Sequence, residues 1–451
     1  MLELAVNPDV EMMEQALVLS LLVKGRTVLE DFKWTPRSAR FAEVLCEYGL
    51  SYELKGHQLA LNGLGFQYKT PTLLPYRFSP HALVLLWALA SRDTETIYMI
   101  AGDDGDQGEI QKAKDLLQRY FLVTWLAELP CKLQFQFQEG LPKIKKNSQG
   151  DIPYLMRNRL LLYALVSGRD LTFEERSSIR DQWTRMMIYF GAALTYESKG
   201  MENMDELSRR IAKARGVKME RTWTTTLLPT KILTGREYFV PGDATESTAL
   251  CLFATLAKDS KIKTFIVKNA CINTGRVGAI TALKRMGALV DFTTRRERYG
   301  DGFGDIEIKS FVGKRLQGRR FSEDAIAPCM DEYALLALAA CYGEGETILR
   351  FPEEYKLPIV DYLELLALNL RKTGVEVGVY ENGLVIRGKE ELDGGDFDSG
   401  GHPSIGLVLF MISLLGKGKS SVEALECVEE AFPGLCDKIE SILQKENHEF
   451  S

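Results

Sequence analysis

Gln15–Phe32 reads QALVLSLLVKGRTVLEDF: an apolar run with no polar stripe, a glycine, then a short β-rich stretch. A helix that is apolar on every face has no side to offer to water and belongs inside a domain. Ser38–Leu54, SARFAEVLCEYGLSYEL, then supplies a second, more amphipathic helix and another strand. Gly25 and Gly49 stand where these helices are expected to end, and a left-handed cap favours glycine there.

Working outward, the same order recurs along the chain. Arg159–Phe173 (RLLLYALVSGRDLTF) with Gln182–Ser198 (QWTRMMIYFGAALTYES) repeats it, with Gly168 and Gly191 in the corresponding places. Ser247–Asn269 with Val277–Phe292 ends at Gly287, and Glu332–Phe351 with Val360–Tyr380 carries Gly345 and Gly374. Weaker copies fall at His81–Ile100 with Lys112–Phe121 and at Ile405–Val422 with Leu435–Leu443. About six copies result, each too long for a simple solenoid repeat. The first helices are the most apolar elements, whereas in a layered α/β fold the strands would be. The expectation is therefore an α/β fold with helices inside and sheets around them. A domain boundary is expected near 235–242, within LPTKILTGREYFVPGD. LPKIKKNSQGD, at about 142–151, reads as a polar loop, and GMENMDELSRR, running on to about 221, has a spacing that fits a short helix.

With 451 residues the chain is too long for one ordinary core. Its 45% hydrophobic and 26% charged residues are ordinary for a globular protein, and a net charge of -6 opposes a nucleic-acid or anionic-membrane partner. The eight cysteines form no CxxC pair and the four histidines do not cluster with them, which opposes a zinc site. GDDGD at Gly102–Asp106 lacks the closing Glu of a calcium loop. No GxGxxG after a strand, P-loop or GxSxG occurs, so no cofactor is expected. The opening MLELAVNPDVEMMEQ has no basic leader before an apolar core, and no apolar run approaches the roughly 20 residues of a membrane helix. The cytoplasm is the default location.

Several words in the second half are more specific. VPGDATESTALCLFATLA, NTGRVGAITALKRMGALV, MDEYALLALAACYGEGETILR and FPGLCDKIESIL resemble those of the enolpyruvyl transferase family, EPSP synthase above all, across about residues 238–437. The first half resembles it through the repeat pattern more than through words. The resemblance implies a two-domain inside-out α/β barrel with three repeat units per domain. The domains would span 12–238, and 1–11 with 239–451. It implies transfer of the enolpyruvyl group of phosphoenolpyruvate to a hydroxyl, through a tetrahedral intermediate, in a cleft that binds anionic metabolites. Two anionic partners side by side need several Lys and Arg residues, a carboxylate for the hydroxyl proton and an acid for the methylene carbon.

Most of those cations are replaced here. By the resemblance, Val10, Glu11 and Gln15 stand for a lysine, a serine and an arginine. His81 stands for the arginine that closes the phosphoenolpyruvate loop, with Arg77 nearby. Gly102 and Asp103 are kept, but Glu109 takes an arginine position. Pro153, Tyr154 and Leu155 stand for the Ser-Ser-Gln that holds the substrate phosphate, with Arg157 and Arg159 just beyond. In the second half Asp331, Lys356 and Asp361 keep their charge type. Gly401, His402 and Pro403 replace Asp-His-Arg, and Glu430 replaces the lysine before Phe432 and Pro433.

The candidate site set is Asp331 as the catalytic carboxylate, with Lys356, His402, Arg77, Arg157, Arg276 and Asp361 as substrate contacts. Several of these, and Asp243, also have a structural reading. Asp331 can cap the helix beginning at Glu332, Asp243 can be a turn or cap residue, and Arg276 can be structural. His402 can be a loop residue, and Lys356 a solvated lysine. The expected function is a diverged family member without the shikimate-pathway reaction. The alternatives are a carboxyvinyl transferase from phosphoenolpyruvate to an unidentified hydroxyl acceptor, and a non-catalytic metabolite-binding or interaction protein. An RNA 3′-phosphate cyclase-like reading would need a nucleophilic His and a basic face, and the acidic balance opposes it.

Overall fold

The computed structural model describes residues 1–140, 152–175, 180–199, 222–257, 262–309, 313–351 and 356–443. The loop expected at about 142–151 and the helix expected from Gly200 to about 221 lie outside the described residues. The fold is mixed α/β and divides into two compact units. The N-terminal unit is Val10–Trp34 with Ser38–Val240; the C-terminal unit is Met1–Asp9, Thr35–Arg37 and Pro241–Ser451.

In the N-terminal unit the apolar runs become helices buried on all sides. Val10–Leu22 is buried at every position from Met12 to Leu22, Pro80–Ala90 from His81 to Ala90, and Tyr154–Ser167 from Met156 to Val166. The Pro80 helix packs against the other two. The other helices bury one stripe, as their charges require: Pro36–Glu47 buries Ser38, Phe41, Ala42 and Leu45, and Gln107–Tyr120 buries Ile110, Ala113, Leu117 and Tyr120. Among the described residues three sheets accompany them. In the first, Glu237–Phe239 runs parallel to Lys24–Glu30, which pairs antiparallel with Gln58–Leu64 and on to Ser51–Lys55. The expected boundary stretch thus contributes an edge strand, with Tyr238 opposite Leu29.

The C-terminal unit uses the same construction. Its buried helices are Ala244–Leu256, Tyr333–Cys341 and Pro403–Leu415; every residue of Tyr333–Cys341 is buried. Leu2–Ala5 pairs parallel with Thr264–Cys271, which continues antiparallel to Asp301–Lys309 and Val290–Arg298. Arg320–Phe321, Glu346–Arg350, Gly383–Arg387 and Glu376–Tyr380 repeat that order and those directions. Hydroxyls inside the Ala244 helix bond back to their own helix: Thr248 Oγ1 donates to the Ala244 carbonyl at 2.8 Å and Thr255 Oγ1 to that of Cys251 at 2.7 Å.

Gly168 ends its helix as expected, in the left-handed region at φ 62° and ψ 33°. Gly25 does not. The Val10 helix stops at Leu22, and Gly25 lies inside strand Lys24–Glu30 at φ 130°, where a side chain would be strained although no atom crowds the site.

Candidate functional site

In the C-terminal unit the start of the Ala244 helix anchors a polar cluster. Asp243 is its N-cap and accepts from the Glu246 N–H at 2.9 Å, as the sequence suggests. Glu246 is buried and accepts from the Asn7 backbone N–H at 2.9 Å, the Asn7 amide at 2.7 Å and Lys438 Nζ at 3.3 Å. Thr245 Oγ1 donates to Glu332 Oε1 at 2.8 Å. Beside this network Arg276 bridges two carboxylates: Nη2 meets Asp9 Oδ2 at 2.7 Å and Nη1 meets Asp331 Oδ2 at 2.8 Å. Arg276 and Asp9 are buried, while 40% of the Asp331 side chain is exposed. Burial, with the Asp9 and Glu246 carboxylates close by, pushes the Asp243 carboxyl well above the usual carboxylate range.

Asp331 is not the cap of the Tyr333 helix. The N-cap position belongs to Glu332, one residue later, because the helix begins at Tyr333, and the Asp331 carboxylate receives Arg276. Burial, and to a smaller extent the Asp331 charge, push the Tyr362 phenol up to about 12, against the opposing hydrogen bond with Ser404. Tyr362 Oη lies 3.0 Å from Ser404 Oγ, and its ring meets the His402 imidazole edge-on at 5.5 Å. Asp331, Arg276, Tyr362 and His402 thus share one neighbourhood. His402 and Asp361 are exposed, and His402 occupies the N-cap position of the Pro403 helix without a side-chain cap bond. Lys356 is the first residue of helix Lys356–Lys372, and its side chain lies outside the described residues.

In the N-terminal unit the positions that the resemblance assigns to anion binding are knitted to one another. Gln15 Nε2 donates to Tyr154 Oη at 3.0 Å and lies 3.1 Å from His81 Nε2. On its other side the His81 ring places Nδ1 2.9 Å from Glu14 Oε2. The His81 and Tyr154 rings stack with centroids 6.0 Å apart, and the Arg180 guanidinium lies 5.2 Å from the Tyr154 ring centroid. Glu14, Gln15 and His81 are all buried.

The nearby arginines are also engaged. Arg157 is buried, with Nε 3.2 Å from Glu175 Oε2 and Nη1 donating to the Arg180 carbonyl at 3.1 Å. Arg77 pairs with Asp106, which also accepts from Tyr76 Oη at 2.8 Å and from the Asp103 N–H at 2.9 Å. Those bonds hold Asp106 below the usual carboxylate range, Arg77 contributing most. The GDDGD stretch is therefore a capping box joining Asp103 and Asp106. Glu109 pairs with Lys112 on an exposed helix face.

Sequence reasoning missed Glu14, Asp9 and Tyr362 as members of these clusters. Glu14 had a signal: a carboxylate directly before the apolar run of a buried helix demands a partner. Tyr362 stands, by the resemblance, where a family site word ends in arginine, and Asp9 had no signal, since its partner is distant in sequence. Among the described residues, no group of three or more His, Cys, Asp or Glu is placed to hold a metal ion. No described helix is long and apolar enough to cross a membrane.

A family model described as EPSP synthase (3-phosphoshikimate 1-carboxyvinyltransferase) matches residues 202–439, just over half of the chain. The chain is similar to the 3-phosphoshikimate 1-carboxyvinyltransferase of Geotalea uraniireducens, with 27% identity over 288 residues, 64% of this chain and 60% of that one. It thus spans about three fifths of that relative's length. Among solved structures it is similar to EPSP synthase of Acinetobacter baumannii, at a TM-score of 0.72 and 21% identity, covering 98% of this chain and 95% of that one. It is also similar to the enolpyruvyl transferase NikO of Streptomyces tendae, at a TM-score of 0.69 and 15% identity, covering 98% and 94%. The two structural likenesses speak for the fold.

Proposed function

The chain belongs to the EPSP synthase family, and on that premise we propose that it is a diverged member that does not carry out the reaction named for its relatives. The observation behind this reading is that the remaining candidate arginines are already matched by carboxylates. Arg77 is tied to Asp106, Arg157 to Glu175, and Arg276 to both Asp9 and Asp331. Two anionic substrates need cations whose charge is not already answered. Positions 15 and 81 offer an amide and an imidazole that are bonded within their own cluster.

The reading includes the finer architecture: an inside-out α/β barrel of about six repeat units, in domains spanning 12–238, and 1–11 with 239–451. It includes a small anionic metabolite of the phosphoenolpyruvate class as ligand, and a cytoplasmic location. Incubating the purified chain with shikimate-3-phosphate and phosphoenolpyruvate is expected to release no phosphate. Robust release overturns the reading.

A second reading is a working carboxyvinyl transferase on another hydroxyl. It is favoured by Asp331, a half-exposed carboxylate beside a buried guanidinium. Asp331 would then take the acceptor proton, and Arg77, Arg157, Arg276, Lys356, Asp361 and His402 would contact the substrates. The same assay with a mixture of hydroxylated acceptors separates the two readings, since phosphate release there supports only the second.

A further inference from the structure

Strand Glu376–Tyr380 is an edge of its sheet and pairs antiparallel with Gly383–Arg387 on one side. In such a pair alternate residues turn both backbone groups toward the partner strand, and the residues between turn them away. Arg371 Nε donates to the Val377 carbonyl at 2.9 Å, so Val377, and with it Val379, turns away from the sheet. Leu384, opposite Val379, agrees: its N–H donates to Tyr333 Oη at 3.2 Å, and that hydroxyl donates to Leu349 in the next strand. The Val377 N–H and both backbone groups of Val379 are thus left without a protein partner among the described residues.

Edge strands elsewhere in the chain are guarded against further pairing. Val123–Leu129 and Val290–Arg298 are each broken by a bulge, and the second also carries Arg295 and Arg296. Glu376–Tyr380 keeps an unbroken register and has a single charge, at its first position. Beside it runs a groove of about 480 Å³, lined by Val377, Gly378, Tyr380 and Val385 together with Arg371 and other charged side chains. The Tyr380 ring lies against Gly378, where a Cβ would come within 2.9 Å of it, and is 59% exposed. Both carboxylates of the groove are answered: Glu376 lies 3.8 Å from Arg387 and Glu346 3.8 Å from Arg320. Arg371 is exposed, and its one bond among the described residues goes to a carbonyl, not a carboxylate.

We propose that this edge accepts an extended, acid-bearing segment of a partner protein as an added strand. The segment bonds to both backbone groups of Val379 and to the Val377 N–H, its side chains on one face lie over Tyr380 and Val385, and its carboxylate answers Arg371. A second copy of this strand fits less well. Self-pairing about Gly378 would call on the Val377 carbonyl of both copies, which Arg371 already takes. None of the candidate substrate contacts lies in this strand or lines the groove, so phosphate release, or its absence, leaves the proposal unchanged.

The probe is a fluorescent nine-residue peptide of alternating Thr and Val with Glu at its centre, titrated against the full chain and followed by anisotropy. Saturable binding is expected. The same peptide with Lys for Glu should bind at least about tenfold more weakly, the loss of a charge-assisted hydrogen bond. The Glu peptide with N-methylated backbone amides should not bind. Arg371→Met should abolish the preference for Glu over Lys. Val379→Pro removes one outward N–H at an edge position that tolerates proline, and should also weaken binding at least about tenfold. No saturable binding, or equal binding of the Lys or the N-methylated peptide, overturns the proposal. If either variant fails to fold, those two peptides decide on the wild type. A wild-type dimer in sedimentation that Val379→Pro dissociates also overturns it, in favour of a second copy.

Discussion

In the C-terminal unit one guanidinium answers two carboxylates, Arg276 with Asp9 at 2.7 Å and with Asp331 at 2.8 Å. In the N-terminal unit one helical turn carries a different balance. Arg157 is paired with Glu175, but Asn158 beside it has neither amide atom bonded, and Arg159 has two unbonded nitrogens. Gln182 and Thr184 in the same unit also bury polar atoms without partners. Leaving such groups unmatched is costly, whereas a matched buried cluster is close to neutral. The C-terminal unit also buries unbonded polar atoms, Tyr342 Oη and Thr347 Oγ1 among them, but the charges beside its kept words, Arg276, Asp9 and Asp331, have partners within the unit. Where the words are gone, the first positions have closed into the Glu14–His81–Gln15–Tyr154 cluster, and the turn beyond has not.

That contrast sets the sign of substitutions. Arg276→Met is expected to have the largest effect, a loss of about 3–5 kcal/mol, because it strands a buried Asp9 carboxylate. Urea unfolding measures it, and a loss below about 1 kcal/mol would break the comparison. Asn158→Leu is expected to act in the opposite direction. Removing two unmatched buried polar atoms at similar volume should raise stability by about 1–2 kcal/mol. A clear loss in the same experiment would mean that the N-terminal core is as well matched as the other.

The smallest effect concerns pH. Asp243 has a raised pKa in the folded chain, so the folded state holds a proton that the unfolded state releases from about pH 4 upward. Its contribution to stability is therefore present at low pH and is lost as pH rises toward the folded value. Asp243→Asn still offers a cap oxygen but cannot ionise. Its melting temperature should fall less on going from about pH 4 to about pH 8 than that of the wild type. Parallel curves for the two proteins would show that the Asp243 charge is fully answered by its surroundings.

Much of this was legible in the residues. ALVLSLL, LLLYALV and YALLALAA announced helices without a solvent face, and all three are buried throughout. The Asp243 cap and the family resemblance were legible too, one from a local hydrogen-bonding rule and the other from words such as MDEYALLALAACYGEGETILR. Gly25 was misplaced because a positive φ serves a strand start as well as a helix end. Asp331 was misjudged as a cap because a shift of one residue in the helix start moves the role to Glu332.

The order of apolar and polar residues, taken alone, determined which segments are interior helices, and the particular words of the second half carried the resemblance to the family, because both depend on neighbours along the chain. Which charge answers which was decided only in three dimensions. His81 finds Glu14 across 67 positions and Arg276 finds Asp9 across 267. A charge buried in a core is stabilised by whatever the fold brings within about 4 Å, and distance along the sequence carries no information about that.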